Sequence, residues 1–244
     1  MSTILVTGAG GGIGAGVVRA ALAAGHDVLA HGRRTETLEP LLGEGVSVLA
    51  GDIADAADRA KLARWAADTS VEAVIATHGV TGAIAFDQIT PEAAQRIMNI
   101  NTISMIELAR KCAPALRAAG GTFLATASQA GLRAEPGNSL YCASKWALVA
   151  WARQARHEQR QRGYAIRVLC PGRTDAPMLH EATRRIAAAE GVEPEDYQER
   201  VFAELPMRRY AAVAEIAAAA LFLAAPMSAD RPALLAVTGG EVPS

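Results

Sequence analysis

The chain has 244 residues, of which 51% are hydrophobic and 20% charged, and its formal net charge is −1 at pH 7. It therefore holds enough apolar material for one sizeable α/β core, while nothing in its charge favours nucleic acid, and no run reaches the roughly 18 apolar residues of a membrane span. Three widely spaced cysteines indicate neither a disulfide framework nor a zinc site, so a reduced, cytoplasmic setting is expected.

Short runs rich in Val, Ile and Leu alternate along the chain with longer Ala-rich segments of helical periodicity. Strands are predicted at residues 3–6, 27–30, 46–49, 73–76, 122–126 and 166–169, with an added edge strand at 233–237. Helices are predicted at residues 13–24, 54–67, 91–118, 139–162 and 213–223. The strand runs are too continuously apolar for half-exposed strands. We therefore expect residues 1–244 to form a single-domain, Rossmann-type, doubly wound parallel sheet with helices on both faces.

Residues 176–209 interrupt this alternation. The segment is punctuated by Pro177, Gly191, Pro194 and Pro206, with one helix predicted at 180–190 and a second at 194–204. A long insertion after a strand is where a lid over a substrate can be built. We predict such a lid; the alternative is a surface excursion without a function.

A glycine-rich turn follows the first predicted strand directly. Thr7 is followed by Gly8, Gly12 and Gly14, and a helix begins within this stretch, with Ile13 as its first apolar residue. Glycines let backbone amides approach a pyrophosphate, and a helix N-terminus favours its negative charge. In this strand–turn–helix context the turn predicts dinucleotide binding; the alternative is a plain tight turn.

The end of the second predicted strand bears on which dinucleotide binds. An acidic residue there would accept hydrogen bonds from the ribose of NAD, whereas arginine would neutralise the 2′-phosphate of NADP. Gly32 occupies the acidic position, and Arg33 and Arg34 follow. The pattern favours NADP(H), with NAD(H) possible and two solvated arginines as the alternative.

Acid/base chemistry is predicted from Ser128, Tyr141 and Lys145. Tyr141 and Lys145 are four residues apart and share one helix face. A nearby ammonium is expected to lower the pKa of the phenol, which could then exchange a proton with a carbonyl or alcohol oxygen. Ser128 ends a predicted strand and could hold the same oxygen. The alternative reading makes Tyr141 a partly buried helix residue and Lys145 a solvated charge.

Together these motifs resemble the short-chain dehydrogenase/reductase (SDR) family, and within it the branch of 3-oxoacyl-[acyl-carrier-protein] reductases. The turn matches the family's Thr-Gly-x-x-x-Gly-x-Gly pattern, and Ser128 stands thirteen residues before Tyr141, as in the family. The resemblance implies that Asn101 completes the catalytic set by holding a water on a proton path from Lys145. It further implies that the cofactor is bound by the turn residues and by Asp52, Ile53, Gly79, Tyr141, Lys145, Pro171, Gly172 and Thr174.

Two positions depart from the family pattern. Ala76-Thr77-His78-Gly79 stands where the family commonly has Asn-Asn-Ala-Gly. His78 is therefore either turned toward the cleft or, as we prefer, a tolerated replacement. Ala176 occupies the place of a threonine that bonds the nicotinamide carboxamide, so Thr174 or backbone amides are expected to substitute for it.

The predicted function is hydride transfer between a nicotinamide and a ketone or secondary alcohol, as a ketone reductase if NADPH is the cofactor. Two alternatives are a non-catalytic dinucleotide-binding redox sensor and a non-redox lyase or epimerase on the same scaffold. The substrate is expected to be a small carbonyl or alcohol compound that the sequence does not name. Candidate cleft residues are Ala130, Leu132, Arg133, Asn138 and the segment 178–207.

The helix predicted at 139–162, which carries Tyr141, also contains Trp146 and Trp151. In the family that this chain resembles, the corresponding helix packs against a second subunit. The two tryptophans therefore suggest a homodimer or homotetramer; the alternative places them in the core.

Overall fold

The computed structural model describes residues 2–81, 84, 86–135, 137–226 and 230–242. Within them one seven-stranded sheet has the order β3-β2-β1-β4-β5-β6-β7, and every neighbouring pair is parallel. The strands are β1 (Thr3–Thr7), β2 (Asp27–Gly32), β3 (Val46–Ala50), β4 (Ala73–Ala76), β5 (Thr122–Thr126), β6 (Ala165–Pro171) and β7 (Leu234–Val237). The predicted doubly wound fold is confirmed, and the predicted strands differ from these by two residues at most at either end.

Helices cover both faces of the sheet, which explains why the central strands are apolar throughout. They are α1 (Gly12–Ala23), α2 (Ala56–Asp68), α3 (Pro91–Met98), α4 (Ser104–Ala119), α5 (Ser139–Arg160), α6 (Pro177–Glu190), α7 (Pro194–Glu204) and α8 (Val213–Ala224). α1 and α8 pack together on one face, while α2, α4 and α5 share the core on the other. No helix in the described part of the chain is long and apolar enough to cross a membrane.

The helix predicted at 91–118 is divided in the structure. α3 ends at Met98, the π-helical turn Asn99–Ile103 follows, and α4 begins at Ser104. The turn buries Asn101 completely and directs its amide toward neighbouring backbone. A π-helical turn inserts one extra residue into the helix without a change in apolar periodicity, so the sequence pattern did not reveal it.

The order of the strands places a crevice at the carboxyl ends of β1 and β4. The chain leaves β1 toward β2 on one side, and it leaves β4 toward β5 on the other. Ligands of open parallel sheets bind at such a switch point. The glycine-rich turn after β1 and Thr77–Val80 after β4 both lie at this edge.

The segment 176–209 forms α6 and α7, which pack on each other. α6 begins at Pro177, three residues earlier than predicted, because proline suits the first turn of a helix. Val201, Leu205 and Tyr210 form a small separate core for the segment. The start of α6 reaches the glycine-rich turn, since a Cβ atom built on Gly12 would lie 2.9 Å from the Cβ of Ala176. The segment thus lies over the carboxyl edge of the sheet.

Candidate active site

The glycines after β1 are required by close packing. Gly8 has φ +73°, and a Cβ on it would lie 2.7 Å from the backbone nitrogen of His78. A Cβ on Gly14 would lie only 2.2 Å from the carbonyl oxygen of Gly8. The amide of Ala9 donates to the carbonyl of His31 over 2.9 Å, which ties the turn to the end of β2. A side chain is therefore excluded at Gly8 and at Gly14.

The start of α1 fits the phosphates of a dinucleotide. Its N-cap, Gly11, makes no side-chain capping bond, and the first turn holds no acidic residue. Amide donors at such a terminus favour an anion, and a helix dipole adds to that preference. Thr7 is fully buried, and Ile13 is half-buried within the first turn of the helix.

His78 lies inside the protein, in a hydrogen-bonded chain beneath the turn. Its Nδ1 is 2.6 Å from the Thr7 hydroxyl, and its Nε2 is 2.9 Å from the Ser104 hydroxyl. Ser104 already donates to the Ile100 carbonyl, so it accepts from Nε2–H, and Nδ1 in turn accepts from Thr7. Burial lowers the pKa of His78 to about 3, which keeps the ring neutral. His78 therefore joins β1 to α4 and does not face the cleft.

The residues predicted to read the adenosine lie together beyond the turn. The Gly51 amide donates to the Gly32 carbonyl over 3.0 Å, which brings the ends of β2 and β3 side by side. Arg33 and Arg34 are exposed next to Gly32, and neither side chain forms an ion pair with a described residue. No carboxylate occupies position 32.

Arg59, which the sequence pattern does not single out, holds the backbone at Ile53, one of the predicted cofactor residues. Arg59 in α2 is buried and donates from Nη1 to the Ile53 carbonyl over 2.8 Å. Asp52 precedes Ile53 and is exposed, and its Oδ1 accepts from the Ala54 amide. An arginine in a polar helix resembles any solvated charge, so its burial could not be predicted from the local pattern.

Ser128, Tyr141 and Lys145 meet at the end of β5. Lys145 Nζ lies 5.6 Å from the centre of the Tyr141 ring and donates to the Thr126 carbonyl over 3.0 Å. The Ser128 hydroxyl accepts from the Ala130 amide, and it also hydrogen-bonds with the Tyr141 phenol. The structure thus brings together the three residues that the sequence singled out.

The expected lowering of the pKa of Tyr141 by Lys145 needs correction. Burial raises the pKa of Tyr141 to about 12, and the hydrogen bond with Ser128 offsets this only in part. Burial also lowers the pKa of Lys145 to about 8. The ammonium is directed at a backbone carbonyl, so it does not outweigh the desolvation of the phenol. The Tyr141 phenol is consequently protonated at pH 7.

Asn101 lies beside Lys145, as the resemblance required, but its side chain is engaged with protein groups. Oδ1 accepts from the Val80 amide over 2.8 Å, while Nδ2 donates to the Val80 carbonyl and to the Ser144 hydroxyl, each over 3.0 Å. A Cβ on Gly79 would lie 3.3 Å from Asn101 Oδ1 and 3.6 Å from Lys145 Nζ. A larger residue at position 79 would crowd both groups.

The turn after β6 supplies the remaining predicted cofactor residues. Pro171 ends β6, and the Gly172 amide donates to Val237 of β7 over 2.8 Å. The Thr174 hydroxyl is buried and donates to the Gly172 carbonyl over 3.1 Å. Its proton is therefore used within the turn, so it could serve a nicotinamide carboxamide only as an acceptor. Ala176 is the N-cap of α6.

The two tryptophans of α5 have different surroundings. Trp146 is 49% exposed, and Ile103 of the π-helical turn is 46% exposed. Trp151 packs edge-on against Phe123, with ring centroids 6.3 Å apart, and belongs to the core. Of the two, Trp146 is the more exposed.

A parallel sheet with a glycine-lined crevice and an adjacent Ser-Tyr-Lys group defines a dinucleotide-dependent oxidoreductase. The sequence profile of the short chain dehydrogenases matches residues 2–187. Galactitol 2-dehydrogenase of Agrobacterium fabrum is 30% identical over 249 residues, covering 96% of this chain and 93% of its own. D-beta-hydroxybutyrate dehydrogenase of Cupriavidus necator is 26% identical over 251 residues, covering 98% and 97%. The crystal structure of a variant of actinorhodin polyketide ketoreductase with NADPH superposes with a TM-score of 0.92 at 24% identity, covering 98% and 96%.

The chain belongs to the short chain dehydrogenase family. It is an NAD(P)-dependent oxidoreductase that transfers hydride between a nicotinamide and an alcohol or ketone carbon. The described residues include no group of three or more His, Cys, Asp or Glu side chains placed to hold a metal ion.

Proposed function

We propose that this protein is an NADPH-preferring ketone reductase in which Tyr141 is the general acid. The observation that carries the proposal is the junction of Ser128, Tyr141 and Lys145 at the carboxyl edge of the sheet, beside the glycine-lined crevice. A phenol that is protonated at pH 7 can donate its proton to the carbonyl oxygen during reduction.

Each catalytic group has a defined part in the proposed reaction. When bound, the nicotinamide supplies the hydride. Ser128 holds the substrate carbonyl oxygen, and Tyr141 gives its phenolic proton to that oxygen. The Lys145 ammonium stabilises the phenolate that forms, because opposite charges attract strongly where water is excluded. Asn101 keeps Val80 and Ser144 in place around Lys145, and the resemblance gives it a water on the path of the returning proton.

The preference for NADPH rests on the end of β2. Gly32 offers no carboxylate to the ribose, and the exposed Arg33 and Arg34 supply positive charge next to the turn. A 2′-phosphate is bound well by guanidinium groups, whereas an acidic residue would repel it. Asp52 and Ile53, which follow the neighbouring strand β3, would contact the adenine.

The proposed substrate is a small carbonyl compound or its alcohol, bound beneath the lid 176–209. Two relatives are named for a sugar alcohol and a hydroxy acid, which supports a small polar substrate. We further propose a cytoplasmic homodimer or homotetramer, in which the exposed Trp146 and Ile103 are covered by a second subunit. The narrower placement among 3-oxoacyl-[acyl-carrier-protein] reductases stays a prediction.

Oxidation of NADPH and NADH, measured in parallel with a panel of ketones, ketoacids, quinones and cyclic diketones, tests the proposal. Tyr141→Phe should lower turnover by about 10²–10⁴-fold while dinucleotide binding is retained, because the general acid is removed. Tyr164→Phe is the matched control, since Tyr164 is buried at the start of β6, at the opposite edge of the sheet. Retained turnover in Tyr141→Phe would reject its role. Dinucleotide binding without turnover of any compound would favour the sensor or the non-redox alternative.

The cofactor preference has its own test. Arg33→Ala should weaken NADPH binding far more than NADH binding, and Gly32→Asp should reverse the preference. The Cβ of the new aspartate would lie 3.1 Å from the end of the Leu38 side chain and 3.6 Å from the Gly10 backbone nitrogen. Arg19→Ala, an exposed position in the second half of α1, is the control. Equal losses for both dinucleotides in Arg33→Ala would reject Arg33 as the phosphate reader.

A further inference from the structure

The residues after β7 turn back toward the catalytic loops. Gly239 and Gly240 have φ of +62° and +90°, and the Glu241 amide donates to the Thr238 carbonyl over 3.2 Å. The Thr238 hydroxyl then accepts from the Val242 amide, also over 3.2 Å. This tight turn points the Glu241 side chain inward, where it is only 7% exposed.

One carboxylate oxygen of Glu241 contacts side chains from two separate loops. Oε2 accepts hydrogen bonds from Arg133 Nη2 over 2.6 Å and from Gln129 Nε2 over 3.3 Å, and it forms a longer ion pair with Arg173 Nε at 3.5 Å. Gln129 is itself buried, and its amide also donates to Glu135 over 3.1 Å. Charge-assisted bonds of this kind are strong where water has little access, and loss of one partner leaves the others uncompensated.

The donors stand next to the proposed chemistry in the chain. Gln129 directly follows Ser128, and Arg133 is in the same loop. Arg173 directly follows Gly172, in the turn expected beside the nicotinamide. A Cβ on Gly172 would lie 2.9 Å from Gln129 Oε1, so these two loops also touch each other directly. Glu241 is thus a common anchor for both.

The same segment meets the lid. A cavity of roughly 250 Å³ is lined by Arg133, Arg173, Glu241 and Gly240 together with the end of α7 and Pro206. A Cβ on Gly240 would lie 3.3 Å from Pro206, and one on Gly239 would lie 3.2 Å from Met207 Sδ. The turn that carries Glu241 therefore packs against residues at the end of the segment 176–209.

We propose that Glu241 is a positioning residue for hydride transfer, which holds the loop of Ser128 in register with the turn of Gly172. The proposal rests on the role given to Ser128 above. Glu241 touches neither reacting atom; it acts through Gln129, Arg133 and Arg173. Its effect therefore falls on the alignment of the carbonyl carbon with the nicotinamide, since small misplacements of reacting groups slow a reaction strongly.

Glu241→Gln tests this, because the amide keeps the shape of the side chain and removes its charge. We expect kcat to fall by about 10²-fold, with the dissociation constant of NADPH changed by less than about three-fold, because the adenosine-binding residues lie on β2 and β3. With NADPH deuterated at the transferred position, the isotope effect on kcat should rise as hydride transfer becomes rate-limiting. Glu241→Asp should recover part of kcat. In the double variant Glu241→Gln/Arg173→Gln, the fold-reduction in kcat should be smaller than the product of the fold-reductions in the two single variants.

Glu107→Gln, which removes a partly exposed ion-pair partner on α4, is the matched control and should leave kcat unchanged. Equal kcat and isotope effect in Glu241→Gln and the wild-type protein would overturn the proposal. Loss of cooperative unfolding in both Glu241→Gln and Glu241→Asp would overturn it as well, because the role would then be structural. Failure of the proposed function is distinguished by Tyr141→Phe, which would in that case keep full turnover.

Discussion

The two sides of the carboxyl edge are built by different means. On the dinucleotide side, around β1 and β2, backbone meets backbone, as where Gly14 lies against Gly8. On the substrate side, around β5 to β7, side chains distant in sequence meet, as where Glu241 joins Arg133 and Arg173. The glycine turn on the first side has no room for a side chain at Gly8 or Gly14, whereas the second side depends on the charge of the buried Glu241 side chain being matched. Substitutions should therefore act through steric conflict on one side and through electrostatics on the other.

The largest expected effect belongs to the substrate side. Lys145→Met should lower turnover by about 10²–10⁴-fold, because the phenolate of Tyr141 would lose its counter-charge. In the wild-type protein, reduction should also decline as pH rises through about 8, where the Lys145 ammonium loses its proton. Steady-state kinetics from pH 6 to 10 measure both effects. An unchanged pH profile in Lys145→Met would reject Lys145 as the titrating group.

The Lys145→Met variant should also change the stability of the folded protein, in a way that depends on pH. The pKa of Lys145 is lowered by burial, so the unfolded chain binds more protons than the folded protein between pH 8 and 10.5. The folded wild-type protein therefore bears the cost of a buried ammonium below pH 8 and is relieved of it as pH rises. We expect Lys145→Met to unfold at a higher denaturant concentration at pH 7, and this advantage should shrink toward pH 10. An advantage independent of pH would contradict the explanation.

On the dinucleotide side, a substitution in the glycine turn should destabilise the protein through steric conflict. Gly14→Ala places a Cβ 2.2 Å from the backbone oxygen of Gly8, so the turn itself must shift. We expect a loss of about 3 kcal/mol in the free energy of unfolding, together with weaker binding of both dinucleotides. Gly43→Ala is the control, since no atom lies within 4 Å of a Cβ there. Denaturant titration and dinucleotide fluorescence measure the two effects, and equal behaviour of both variants would contradict close packing of the turn.

His78 gives a smaller effect that depends on pH. His78→Ala removes two buried hydrogen bonds and should cost about 2 kcal/mol at pH 7. The folded-state pKa is depressed to about 3, so the stabilisation by neutral His78 is complete above pH 6.5 and is lost as pH falls below it. The difference between wild type and variant should therefore narrow between pH 6.5 and 4. His157→Ala, at an exposed position of α5, should show no such narrowing.

The same contrast explains what the sequence revealed. The glycine turn, Ser128, Tyr141 and Lys145 belong to short motifs whose spacing reflects local geometry, and the last three residues meet in the structure. The π-helical turn, the bonds of His78 and the anchoring by Glu241 depend on partners far along the chain, and no local pattern encodes them. The pKa of Tyr141 was misjudged for a related reason: the spacing to Lys145 was visible, but the burial of the phenol was not.

The smallest expected effect separates burial from charge on the substrate side. Glu181 pairs with Arg184 over 2.7 Å on α6, but both side chains are 60% exposed. Glu181→Gln should change the free energy of unfolding by less than about 0.5 kcal/mol, because water competes for both groups. The same substitution at Glu241, whose side chain is 7% exposed, should cost several times more. Denaturant titration of the two variants in 0.05 M and 1 M salt measures the difference. High salt should abolish the small effect of Glu181→Gln. It should leave most of the effect of Glu241→Gln, because buried ion pairs are poorly screened by salt. Equal losses in the free energy of unfolding for the two variants would show that burial does not strengthen the interactions of Glu241.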